Sequence, residues 1–239
     1  LLPRMQYNYN NKKIEIPAWR SDILHEVDII EDIAIAHGYD KLLPVIPSIS
    51  TIGEESIESG RKSKIAETLT GLGLLEISSY HLIKQEEAKK VKGDGRIELE
   101  NSKTEFKYLR NNLLIPALRV FSENKDNEYP QKIFEIGTIF KKEKDSVSES
   151  ESLLIAISPS NFTNIKQILD YLFRMLNISH EIKPSPKEYL IEGRSASITM
   201  KGKEIGYIGE INPETLRYFN IKMPISALEI SLDSIIKEI

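Results

Sequence analysis

Two periods alternate along the chain and divide it into helices and strands. From His25 to His37 the apolar positions Val27, Ile30 and Ala34, with Ile23 just ahead of them, fall near one face of a helix that Gly38 stops as a C-cap. Ile57 to Leu72 repeats the helical period, with Ile65, Leu69 and Leu72 inward and Arg61, Lys62 and Lys64 outward, and ends at Gly73. Asn164 to Leu176 does so through Ile165, Ile168, Leu169, Leu172 and Leu176. Phe106 to Asn124 also reads as helical, but Pro116 has no N–H to give a helix interior, so a break precedes it and a fresh helix starts near it. A short helix is expected over Gln85 to Val91, another behind the cap Asn212-Pro213-Glu214, and a terminal one capped by Asp233. The period of two marks Lys12 to Ile16, Leu74 to Ile83, Arg96 to Glu100, Gln131 to Lys142, Leu153 to Ile157, Ser195 to Met200, Glu204 to Glu210 and Ile225 to Leu232. Gly93-Asp94-Gly95 and Lys201-Gly202-Lys203 are turn signals, and the acidic, serine-rich run Asp145 to Ser152 reads as a hairpin tip.

Hairpins interspersed with helices, without a regular strand-helix-strand repeat, predict an α+β fold on a mainly antiparallel sheet. Between the first helix and the second the pattern lapses into Pro44, Pro47, Gly53 and scattered Ser and Glu. The chain therefore divides into a small piece over residues 1–43, a linker over 44–56 and a main module over 57–239. With 239 residues and 40% apolar content, the module has enough material for a real core. No stretch is apolar for the roughly 18–20 residues that cross a bilayer. A first residue other than Met suggests a chain cut from something longer. Cysteine is absent, which removes thiol nucleophiles and Cys-ligated metals. The net charge of −4 denies the chain the basic footprint of a dedicated nucleic-acid reader.

The sharpest candidate for chemistry is the acidic set Asp22, Asp28, Glu31 and Asp32. On a helix Asp28, Glu31 and Asp32 stand at i, i+3 and i+4 and share a face, with Asp22 just upstream. Such carboxylates repel one another, and a hard cation such as Mg²⁺ relieves the repulsion. The same spacing also suits a solvated acidic face at a helix N-terminus, where the macrodipole favours negative charge, and spacing alone favours that plainer reading. Other signals are weaker. Gly202, Gly206 and Gly209 miss the dinucleotide fingerprint and read as turn and close-packing glycines, and the four histidines stand far apart. The clusters Lys12-Lys13, Arg61-Lys62-Ser63-Lys64 and Lys89-Lys90-Val91-Lys92 lack interleaved aromatics and read as solvated faces. No nucleophile elbow and no Walker A sequence is present. Ile133 to Phe140 is apolar on both faces, as in a central core strand or one that meets a partner.

Three stretches together resemble the β subunit of phenylalanyl-tRNA synthetase. The first runs Ile16-Pro17-Ala18-Trp19-Arg20-Ser21-Asp22-Ile23 into Val27-Asp28-Ile29-Ile30-Glu31-Asp32 and on through His37-Gly38-Tyr39-Asp40. The second is Leu109-Arg110-Asn111-Asn112-Leu113-Leu114-Ile115-Pro116-Ala117-Leu118 with Pro130-Gln131-Lys132-Ile133-Phe134-Glu135-Ile136-Gly137. The third is Gly206-Tyr207-Ile208-Gly209-Glu210-Ile211-Asn212-Pro213-Glu214, with Leu228-Glu229-Ile230 beyond it. The departures are mild: His37 where Tyr is usual, Ala117 where Gly is frequent, and Asn111-Asn112 in place of small residues.

The resemblance implies the end of a B5 domain, often likened to a DNA-binding fold. It implies next a module like the class II aminoacyl-tRNA synthetase catalytic fold, an antiparallel sheet with flanking helices, that does no chemistry itself. In the family this module supports an α subunit that binds ATP and phenylalanine in an α2β2 tetramer. A Mg²⁺ ion shared with the α subunit then matches Asp22, Asp28, Glu31 and Asp32, and tRNA binds the full cytoplasmic complex. The strand around Phe134-Glu135 lacks the Arg-x-Glu of class II motif 2, and no motif 3 Arg follows, so no guanidinium fork for ATP phosphates is evident. Two rival expectations are a stand-alone synthetase-like paralogue that binds an amino acid or a protein as a regulator, and an RNA-binding module.

Overall fold

The structure is a computed structural model that describes residues 1–49, 51–91, 95–144 and 146–238. The chain separates into two compact units, Leu1–Glu54 and Glu55–Ile239. In the first, a 3-10 turn over Leu2–Met5 leads into a hairpin of β1 (Asn8–Asn10) and β2 (Lys13–Glu15). Asn8 pairs with Glu15 and Asn10 with Lys13. Asn11 and Lys12 both take positive φ, the conformation that a tight two-residue hairpin turn demands. Helix α1 (Glu26–His37) follows, and the N–H of Gly38 (φ 97°) closes it on the carbonyls of Ala34 and Ile35. Its apolar stripe does not turn inward: Val27 is 63% and Ile30 62% exposed, while the residue that α1 buries is Asp32. Tyr7 sits on that side of the helix and bonds Asp32, so within this unit a polar contact, not the stripe, orients α1.

The second unit runs α2 (Ile57–Gly71), β3 (Leu75–Glu76), β4 (Leu82–Lys84), α3 (Gln85–Lys90), β5 (Ile97–Glu98), β6 (Phe106–Leu109), α4 (Leu114–Glu123), β7 (Gln131–Glu143) and β8 (Ser146–Ser158). It continues with α5 (Phe162–Met175), β9 (Glu181–Pro184), β10 (Leu190–Met200), β11 (Lys203–Ile211), α6 (Pro213–Tyr218), β12 (Ser226–Ser231) and α7 (Leu232–Ile236). Seven strands form one sheet in the order β3-β7-β8-β12-β11-β10-β9, antiparallel except for the β3–β7 pair. A small sheet, β4-β6-β5, stands apart. The mixed α/β class and the mostly antiparallel sheet agree with the sequence pattern.

The large sheet has two unlike faces, and the period of two creates them. Leu153, Ile155, Leu228, Ile208 and Ile198 point to one side, where Ile65 and Leu69 of α2, Leu169 and Phe173 of α5, and Leu232 and Ile235 of α7 seal them. Leu154, Ala156, Ala227 and Tyr207 point to the other, against Ile115, Leu118 and Phe121 of α4 and Leu216 and Phe219 around α6. This second face also carries charge: Glu135 and Glu229 stand opposite Leu154 from the two neighbouring strands. Helix starts follow local chemistry. Ser56 accepts from Ser59 N, Asn161 from Asn164 N and Asn212 from Glu214 N, each filling an acceptor that the first turn lacks. Pro116 is the third residue of α4, inside the first turn where its missing N–H costs nothing. Gly206 is required by close approach, because a Cβ there would lie 2.1 Å from the carbonyl oxygen of Glu229.

Several expectations change. Phe106 to Leu109 is a strand, since Phe106 and Tyr108 alternate with Lys107 and pair with β4 and β5. Leu74 to Ile83 is interrupted, giving Leu75–Glu76 in the large sheet and Leu82–Lys84 in the small one. Arg96 to Glu100 keeps only Ile97–Glu98 as strand. From Ser146 the serine-rich run is not a tip but the outer half of β8, paired with β7. Asp233 does not cap α7, whose N-cap is Ser231; its carboxylate accepts from Glu151 N instead. Arg61 is not merely solvated, for it donates to the carbonyl of Ile236 at 2.6 Å. Part of the Gly93-Asp94-Gly95 turn and residue Asp145 lie outside the described residues.

Candidate functional site

The acidic set lies where the chain turns into α1. Asp28 is the third residue of the helix, and its Oδ2 accepts from the N–H groups of Leu24 and His25, both at 2.8 Å. Those bonds favour the charged form and hold its pKa below the usual carboxylate range. Asp22 receives the Arg20 guanidinium at both oxygens, Nε to Oδ1 at 3.0 Å and Nη2 to Oδ2 at 2.8 Å, and its pKa falls for that reason. The same guanidinium reaches Asp32 Oδ2 at 2.8 Å through Nη1. Asp32 also accepts the hydroxyl of buried Tyr7, and these two donors, Tyr7 first, lower its pKa. Burial pushes the Tyr7 phenol up. Glu31 is exposed on the next turn.

Arg20 thus ties Asp22 to Asp32, while Asp28 serves the backbone and Glu31 faces outward. Oxygen donors suit a hard cation. Their arrangement in this chain does not assemble one: among the described residues no three acidic or histidine side chains converge on a point that could hold a metal. Sequence reasoning missed Tyr7 and the bridging role of Arg20. The signal for Arg20 was its place two residues ahead of Asp22; for Tyr7, distant along the chain, there was none.

A second polar centre lies on the charged face of the large sheet. Arg110, between β6 and α4, is buried and donates through Nη1 to Glu135 Oε1 at 2.7 Å and to Ser79 Oγ at 2.8 Å, and through Nε to the Thr138 carbonyl at 2.8 Å. Gly137 leaves the slot it fills, since a Cβ there would lie 2.5 Å from Nη2. One strand pair away, Glu229 accepts from Leu113 N at the start of α4 (2.9 Å), from the Tyr207 hydroxyl (3.0 Å) and from Ser152 Oγ (3.3 Å). Burial raises the pKa of Glu229, and burial beside that carboxylate raises Tyr207 well above its ordinary value. A glutamate inside the apolar run Ala227-Leu228-Glu229-Ile230 was the signal for this cluster.

The second unit thus carries a mostly antiparallel sheet with helices against both faces, a fold it shares with a tRNA synthetase. In line with this, the chain superimposes on a pyrrolysyl tRNA synthetase from Desulfitobacterium hafniense with TM-score 0.61, over 73% of this chain and 66% of that one, at 16% identity. Residues 43–232 match the profile of the phenylalanyl tRNA synthetase beta chain CLM domain, and residues 1–39 that of the tRNA synthetase B5 domain. The phenylalanine–tRNA ligase beta subunit of Pyrococcus furiosus is 35% identical over 97% of this chain and 44% of its own length. Those of Archaeoglobus fulgidus and Methanocaldococcus jannaschii are 34% and 33% identical over 93% and 95% of this chain, and 42% and 43% of theirs. The chain belongs to the phenylalanyl-tRNA synthetase beta chain family. It spans less than half the length of these curated relatives.

Proposed function

We propose that the chain is a non-catalytic part of a phenylalanine–tRNA ligase, and that residues 57–239 form a class II synthetase-like scaffold supporting the α subunit. Residues 1–43 are then the end of a B5 domain with a DNA-binding-like fold, and 44–56 the linker. The α subunit supplies the ATP and phenylalanine sites, and tRNA joins the full α2β2 assembly in the cytoplasm. The observation that supports the non-catalytic part of this reading is the state of Arg110. Its guanidinium is buried and spent on Glu135, Ser79 and Thr138, so it is not free to clamp a phosphate. Among the described residues, no helix is long and apolar enough to cross a membrane.

The Mg²⁺ reading of Asp22, Asp28, Glu31 and Asp32 belongs to the same proposal, as a site completed by the α subunit. It requires Asp22 and Asp32 to give up Arg20. The test is aminoacylation of tRNA with phenylalanine by the full-length β subunit, by its α partner and by their mixture, with complex formation followed by light scattering. Charging by the mixture alone is the expected result. Charging by the β subunit alone refutes the non-catalytic reading, and the absence of a complex refutes the partnership. In the mixture, Asp28→Ala and Glu31→Ala raise the Mg²⁺ concentration needed for half-maximal charging if the acidic set binds the ion; an unchanged requirement removes that part of the reading.

A further inference from the structure

Four serines occupy alternate positions of β8: Ser146, Ser148, Ser150 and Ser152. The period of two puts them on one face of the strand, and the register of β7 sets what each one meets. Ser146 stands opposite Glu143, Ser148 opposite Lys141, Ser150 opposite Ile139 and Ser152 opposite Gly137. Ser152 is buried, and its hydroxyl is spent on Glu229 and on the carbonyl of Ile230. The other three reach the surface, Ser146 fully and Ser148 and Ser150 in part.

Two features set Ser148 apart. The first is the residue across from it. Directly opposed side chains in an antiparallel pair have Cβ atoms about 4.5–5.5 Å apart, and Lys141 is exposed with no carboxylate paired to it among the described residues. The second is the charge along its own strand. No Lys, Arg or His occurs from Ser146 to Ile165, and Glu149 and Glu151 follow Ser148 at the first and third positions. Glu149 is exposed, while Glu151 is shared with Lys62 at 3.2 Å. Carboxylates just after a serine, in extended backbone, are the charge pattern that acidophilic serine kinases select.

We propose that Ser148 is a phosphorylation site for an acidophilic serine kinase, with Lys141 as the receptor for the phosphate. Ser148 Oγ attacks the γ-phosphorus of a nucleoside triphosphate. The Oγ–P bond forms, the bond from that phosphorus to the bridging oxygen breaks, the nucleoside diphosphate leaves, and the hydroxyl proton passes to the kinase's base. The product places a charge of roughly −1.5 to −2 against an ammonium that had no partner, and so ties the outer ends of β7 and β8 side chain to side chain. The same group on Ser146 would face the carboxylate of Glu143, and on Ser150 the apolar Ile139. This site goes beyond the scaffold reading above and stands apart from it, since it uses neither the α subunit nor the acidic set of α1.

The test is incubation of the folded chain with ATP and a purified casein-type acidophilic serine kinase, followed by mass spectrometry of its peptides. One phosphate on Ser148 is expected, and Ser148→Ala should lose it while keeping its far-ultraviolet circular dichroism. Phosphorus NMR of the product then reads the pairing. A free phosphoserine titrates near pH 6, and an ammonium opposite should lower that midpoint by roughly 0.2–0.7 pH units. In Lys141→Gln the midpoint should return toward the free value. Glu143, diagonal to Ser148, acts in both proteins alike, so the difference between them belongs to Lys141. Phosphate only on Ser146 or Ser150, no phosphate at all, or one midpoint with and without Lys141 overturns the proposal.

Discussion

Replacing Arg110 by methionine keeps an unbranched stem of similar reach and removes the charge. In the native structure the guanidinium and the Glu135 carboxylate are each 2% exposed and 2.7 Å apart. The guanidinium also satisfies Ser79 Oγ and the Thr138 carbonyl. Arg110→Met leaves Glu135 with only the N–H and hydroxyl of Ser79, the donors it already has. Removing one partner of such a buried pair costs about 3–5 kcal/mol. That is a large share of the roughly 5–15 kcal/mol that holds a domain together. With about 2–4 °C lost per kcal/mol in a domain of this size, the thermal midpoint falls by roughly 6–20 °C. Urea unfolding followed by circular dichroism measures the free energy directly. Adding Glu135→Leu to Arg110→Met removes the stranded charge and should recover most of the loss, which a double-mutant cycle reads as coupling. A single-variant cost under about 1 kcal/mol, or a double variant as unstable as the sum of the two singles, refutes the assignment of this pair as a coupled buried unit.

Gly206→Ala forces a Cβ against the backbone of β12 and should destabilise the chain by about 1–3 kcal/mol or more, whereas Gly202→Ala, with open space around it in a turn, costs only its positive-φ strain. In α5, Leu169→Ala should cost about 2–5 kcal/mol because the side chain is fully buried, while Lys166→Ala, half of an exposed pair with Asp170, stays within about 0.5 kcal/mol; equal effects would sink the packing argument. Asp22, Asp28 and Asp32 have depressed pKa values, so the stability they lend the first unit is present above the unfolded carboxylate range and is lost as pH falls below it through their folded values. Trp19, the only tryptophan, reports on that unit, and its fluorescence should change on acidification; Asp32→Asn should move the midpoint, and an unmoved midpoint counts against the Tyr7–Asp32–Arg20 contact.

The elements that could be read from the sequence are those whose period matches what they pack against. α5 shows its buried face in Ile165, Leu169 and Leu172, and the long strand β7 shows itself by apolar residues on both sides. The failures have physical causes. Val27 and Ile30 obey the helical period yet stay exposed, while the residue that α1 buries is Asp32, bonded to Tyr7 25 positions away, a contact no local period reveals. Phe106-Lys107-Tyr108-Leu109 is too short to tell strand from helix by period, and pairing with β4 and β5 settles it. The acidic set was visible as a motif, but its partner Arg20 was not singled out, and the neutral donors that surround Glu229, Leu113 N and the Tyr207 and Ser152 hydroxyls, come together only in three dimensions.

The outer half of β8 has one further consequence. β12 pairs with β8 only from Ser152 to Ile157, so among the described residues the strand from Ser146 to Ser150 has β7 on one side and no strand on the other. An open edge of this kind invites another chain to add on and polymerise. The run Ser146-Val147-Ser148-Glu149-Ser150-Glu151 guards against that, since small hydroxyl side chains and repeated negative charge make a poor template for a second copy of itself. Its composition, so unlike a strand that it reads as a loop, keeps a necessary strand from becoming a fibre.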